Sequence, residues 1–154
     1  AEWRIQGVAS RLRVSRGFPL ISPPMQVGRF TDVRLHFVPG RAWAAEVEQR
    51  DRARGRRPQQ FEFSAAAVGA GAGVCAIVLP PRHGAVRLKL GPCAEVEPRG
   101  RVRFNLSLGS SKQGPFECDF SEQVVQECAL EVDWRRCLET GTGNLVLRIE
   151  VISA

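Results

Sequence analysis

The chain contains no tyrosine, and its cations are almost all arginine: twenty of them, against Lys89 and Lys112 alone. Its two histidines, His36 and His83, lie far apart, and its five cysteines, Cys75, Cys93, Cys118, Cys128 and Cys137, include no Cys-x-x-Cys pair. Zinc sites bring their ligands in closely spaced pairs, so no zinc centre is expected. The clustered aspartates of a calcium-dependent membrane module are missing too. The longest uncharged run, residues 64–81, is rich in Ala and Gly and ends in two prolines. A membrane span needs about 20 predominantly apolar residues, so this run is not read as one. Gly69-Ala-Gly-Ala-Gly73 lacks the Lys-Ser/Thr and the following helix of a phosphate loop. No helix of ten or more residues is convincing anywhere, and no basic-then-apolar start marks a signal peptide.

What is present is alternation. Val102, Phe104, Leu106 and Leu108 alternate with Arg103, Asn105 and Ser107, and the pattern recurs around Val33, Leu35 and Phe37, around Val86, Leu88 and Leu90, and through Leu145, Leu147, Ile149 and Val151. A period of two puts apolar side chains on one face of a strand and polar ones on the other. Four such strands predict antiparallel sheets closing on a shared core. Short strands with Gly/Pro turns between them make the whole chain, residues 1–154, a single all-β sandwich with at most one short helix. Its length suffices to bury about 70% of the unfolded surface without staples.

Along the chain, Trp3 and Ile5 share one face of a first strand. Phe18 or Leu20 is expected to plug the core, and residues 25–27 to form a short edge segment. Residues 41–47 read either as a continuing strand or as one helical turn. A basic loop is expected at about residues 48–60 and a Gly/Ala-rich loop at about 64–73, with brief strands at 61–63 and 74–79. Residues 109–114 read as a turn. Asp133 is placed to cap a short helix after a strand through Leu130 and Val132.

The order of these signals resembles the MATH domain (meprin and TRAF homology). Trp3-Arg-Ile5 matches its opening strand, Leu20-Ile-Ser-Pro-Pro24 its Ser-Pro turn, and Val33-Arg-Leu-His-Phe-Val-Pro-Gly40 the strand and turn that follow. Arg103-Phe-Asn-Leu-Ser-Leu108 resembles its central strand and the stretch from Asn144 to Val151 its closing one. Met25 stands where Phe is usual, and residues 41–100 are longer and richer in Arg and Gly than the family pattern. The resemblance implies a TRAF-like antiparallel sandwich of about eight strands that binds short extended peptides on an exposed sheet face, with no catalysis and no cofactor. The family's groove tyrosines have no counterpart here; Phe116 and Phe120 are the nearest positional candidates for peptide binding.

The formal charge is +6, and residues 50–57 hold five arginines, Arg50, Arg52, Arg54, Arg56 and Arg57, beside Asp51. Such a cluster suits an acidic or anionic partner surface. The alternative to a peptide-binding module is therefore a C2-like or other sandwich docking on anionic membranes through these arginines. No aromatics interleave with them, so specific nucleic-acid binding is not expected. His36 and His83 have no acid placed to orient them, and Glu95/Glu97 and Glu131/Asp133 read as exposed strand acids, so the chain is not expected to be an enzyme. The odd number and unpatterned spacing of the cysteines predict reduced thiols and a cytoplasmic setting. The start at Ala1, running straight into Trp3, reads as a segment of a longer protein, whose other domains would supply any oligomerisation.

Overall fold

A computed structural model describes residues 1–57, 81–91 and 100–153. Two antiparallel sheets face each other across one core. The first is ordered β1-β9-β6-β7, from β1 (Glu2–Ile5), β9 (Leu145–Ser153), β6 (Arg101–Leu108) and β7 (Ser111–Asp119). The second is ordered β2-β4-β5-β8, from β2 (Leu20–Ile21), β4 (Phe30–Val38), β5 (Ala85–Leu90) and β8 (Val125–Ala129), and β3 (Met25–Val27) also pairs with β4. The expected sandwich is present, with nine strands among the described residues.

The period of two accounts for the core. Val102, Phe104, Leu106 and Leu108 are all fully buried, and register sets Leu108 beside Leu147, Leu106 beside Ile149 and Phe104 beside Val151. In the facing sheet Val33, Leu35 and Phe37 lie beside Leu90, Leu88 and Val86. Trp3 and Ile5 are both buried, and Leu20 fills the core while Phe18 stays 44% exposed.

Helix is where the structure departs from expectation. Instead of at most one short helix there are two α-helices, α1 (Val8–Val14) and α2 (Arg41–Ala53), and a 3-10 helix (Trp134–Cys137). Residues 41–47 form neither a strand nor a single turn but the first half of α2. Its buried side chains, Trp43, Ala44, Val47 and Asp51, recur at helical spacing. The predicted basic loop is corrected with it, because residues 48–53 are the second half of the same helix. The cap at Asp133 is as expected, its carboxylate accepting from the Arg135 backbone N–H at 3.1 Å.

Glycine decides how α2 joins the sheet. Gly40 (φ 85°) and Gly84 (φ 97°) touch backbone to backbone where β4 ends and β5 begins, and a Cβ on Gly40 would lie 2.2 Å from the Gly84 nitrogen. Only glycine fits that approach. The turn read at residues 109–114 shrinks to Gly109 and Ser110. The register steps from Leu106 opposite Gln113 to Phe104 opposite Phe116, so β7 carries one extra residue around Gly114 and Pro115. The strands expected at 61–63 and 74–79, the Gly/Ala loop, Glu95 and Glu97, and Cys75 and Cys93 lie outside the described residues.

Candidate functional site

Phe116 and Phe120 share the inward face of β7 and its exit. Phe120 is 4% exposed, its ring edge-on to Phe30 at 5.1 Å, and so belongs to the core. Phe116 is half-buried, its ring 5.9 Å from that of Phe104. As a pair they offer no exposed aromatic grip, because a strand's inward face in a sandwich is taken by the facing sheet. The outer edge of β7 is also engaged. The Gln126 side chain donates to the Asp119 carbonyl at 3.1 Å, and the Glu131 N–H donates to the Gln113 side chain at 3.1 Å. Pro115 brings no N–H to that edge.

The outer faces of the sheets differ in how their charges are matched. On the first, Arg148 pairs with Glu2 at 2.7 Å, Arg101 with Asp119 at 3.0 Å, and Lys112 with Glu150. Hydrogen bonds from Ser121, and then from Arg101, hold the Asp119 carboxyl below its usual range. Exposed pairs like these stabilise little, but they neutralise the face. On the second, Arg87 lies against Glu127, and Arg34 stands 3.8 Å from Asp32. His36 lies opposite Arg87 in register. Burial first, then the charges of Lys89, Arg87 and Arg34, push its pKa down, so it stays neutral at pH 7. No acid is among the groups acting on it, and no three of His, Cys, Asp and Glu assemble as a metal site among the described residues.

Arginines crowd the C-terminal turns of both α1 and α2. Arg13 Nη1 reaches Asp51 Oδ1 at 3.4 Å, joining the helices. The Asp51 carbonyl accepts from the backbone N–H groups of Arg54 (3.2 Å) and Arg56 (2.9 Å), which closes α2. Asp51, 4% exposed, is thus a buried carboxyl whose side-chain partner among the described residues is Arg13. Arg50 is held by Glu46 and Arg52 by Glu48, each an i,i+4 pair on the helix surface. Arg11, Arg16, Arg54, Arg56 and Arg57 are exposed and form no ion pair with any described residue.

Two apolar side chains stand out from the same end. Val14, in the last turn of α1, is 86% exposed and Phe18 44%. Between them Arg16 (φ 54°) and Gly17 (φ 79°) reverse the chain after the helix. The arginines expected to form one loop are therefore split: Arg50 and Arg52 are engaged on α2, while Arg54, Arg56 and Arg57 lie beyond it with no ion pair to a described residue. Arg11, Arg16 and Val14 were not singled out by sequence, and Phe18 was read only as a candidate core plug. The available signal was Val8 and Leu12 at i,i+4 with arginines between and after them, a pattern only seven residues long.

No family model matches the chain. Neither does any curated protein or solved structure. No helix among the described residues is long and apolar enough to cross a membrane.

Asp51→Ala should destabilise the domain by roughly 1–3 kcal/mol, because it removes a charged hydrogen bond and leaves Arg13 without that partner. Thermal unfolding checks this. The loss should shrink at high salt, where repulsion among the remaining guanidinium groups is screened.

Proposed function

We propose that this domain is a non-catalytic protein-interaction module that binds an acidic segment of a partner protein at the joined ends of α1 and α2. The observation that carries the reading is that five exposed arginines, which pair with no acid among the described residues, coincide with exposed Val14 and Phe18. Guanidinium groups form planar, bidentate pairs with carboxylates. Apolar side chains among them supply area that charge alone does not. The MATH-like order of strand signals points to the same class of protein, a peptide-binding sandwich, but the arginine-rich helical end replaces the sheet face as the docking surface.

The test is binding of an acidic peptide library by fluorescence anisotropy, with wild type, Arg54→Glu/Arg56→Glu and Val14→Ser/Phe18→Ser. Wild type should select peptides that combine Asp or Glu with an apolar residue, and affinity should fall as salt rises. The double charge reversal should weaken binding by at least tenfold with an unchanged melting temperature, since these side chains support nothing in the core. Binding that is indifferent to both variants would remove this site. Sedimentation with vesicles containing phosphatidylserine, in the absence of peptide binding, would replace the acidic protein with an anionic membrane.

A further inference from the structure

Cys118 and Cys128 lie on strands of opposite sheets, far apart in the hydrogen-bonded order of either. Cys118 points inward from β7, the last strand of the first sheet, and Cys128 inward from β8, the last strand of the second. The two strands run antiparallel past each other at the closed seam of the sandwich, where they approach within 8 Å. Two hydrogen bonds fix their alignment on either side of the thiols: Gln126 to the Asp119 carbonyl and Glu131 N–H to Gln113, both at 3.1 Å. Both cysteines are free and almost fully buried, and each thiol acts on the pKa of the other. A surface cysteine pair meets by chance; this one is held by the packing of two sheets.

We propose that Cys118 and Cys128 are an oxidisable thiol pair that closes into a disulfide across the two sheets when a small peroxide reaches the seam. Cys118 is the attacking sulfur. The hydrogen bond from Cys128 stabilises its thiolate and holds its pKa down, while the same bond, with burial, pushes the Cys128 pKa up. The Cys118 thiolate attacks one oxygen of the peroxide, the O–O bond breaks, and hydroxide leaves, giving the sulfenic acid. Cys128 then loses its proton to that hydroxide and attacks the Cys118 sulfur, which expels a second hydroxide. With the proton taken up, the pair has lost two electrons and two protons, and hydrogen peroxide has become two waters. An S–S bond needs Cβ atoms about 3.8 Å apart, a separation that inward side chains on strands aligned this closely can reach. The bond would join strands that only side-chain and backbone hydrogen bonds now connect.

The full chain, purified under reductant, should show five free thiols on denaturation. After treatment of the folded protein with hydrogen peroxide, alkylation and peptide mapping should find a Cys118–Cys128 linkage, a mass lower by two hydrogens, and a melting temperature higher by several degrees that dithiothreitol restores. In Cys128→Ala a dione reagent should trap sulfenic acid at Cys118; in Cys118→Ala it should trap none at Cys128. Thiols that remain fully alkylatable after peroxide, or a linkage to Cys75, Cys93 or Cys137 instead, would overturn the proposal. The trapping result depends on the order of attack and not on whether the disulfide stabilises the fold.

Discussion

Phe104→Ala is expected to destabilise the domain by about 3–5 kcal/mol, lowering the melting temperature by roughly 6–20 °C for a chain of this size. Phe104 is fully buried at the middle of β6, which pairs on both sides, with β9 and with β7. Its ring meets that of Phe116, and its strand neighbours Val102 and Leu106 are also fully buried. A central strand hydrogen-bonded on both edges cannot shift to refill the space, so most of the cavity should persist. Denaturant unfolding monitored by circular dichroism measures the loss. A change under 1 kcal/mol would mean that the ring is not packed as described. Phe116→Ala, at a half-buried site on the edge strand, should cost clearly less.

The second large effect is expected at Trp134, in the 3-10 helix that follows β8. Its indole is 1% exposed, stands edge-on to Phe37 at 5.4 Å, and donates its N–H to the Pro39 carbonyl at 2.9 Å. Arg135, next in sequence, reaches Glu46 on α2 as well as Asp133. The residue thus ties the helical end to the point where β4 passes into α2. Trp134→Ala should cost about 3–5 kcal/mol, from lost contacts and a cavity. Trp134→Phe keeps most of the apolar volume but orphans a buried carbonyl, and should cost roughly 1–3 kcal/mol. Equal losses in the two variants would show that the hydrogen bond, and not the packing, dominates.

Much of the fold was legible because strand alternation is local. The inward positions of β4, β5, β6 and β9 follow from period two alone, and all but Leu90 and Val151, which stay half-buried, are buried as read. Helix α2 was missed because its apolar stripe is thin: Trp43, Ala44 and Val47, followed by a run of arginines that reads as solvated loop. Asp51 then occupies the next core-side position, and no sequence rule places a carboxylate there. Its burial depends on Arg13, thirty-eight residues away, so it becomes visible only when the two helices meet.

The candidate sites divide in the same way. The excess of arginine was readable from composition, but which arginines are free was not, since each pair depends on where an acid lands after folding. Arg50 and Arg52 lose their availability to Glu46 and Glu48, while Arg11 and Arg16 join the site only because the Arg13–Asp51 pair links the end of α1 to α2. Phe116 and Phe120 looked equivalent by spacing, and the facing sheet separated them by burying Phe120 against Phe30. Cys118 and Cys128 had no spacing signal at all, because they belong to different sheets. The strand expected through Leu130 and Val132 ends already at Ala129, as β8. Sequence by itself determined the four alternating strands β4, β5, β6 and β9, their inward faces and the all-β class, since each follows from backbone geometry acting over neighbouring residues. Only the tertiary structure decided the helical end, the free charges and the thiol pair, because burial and partner choice arise from contacts between segments that no local period connects.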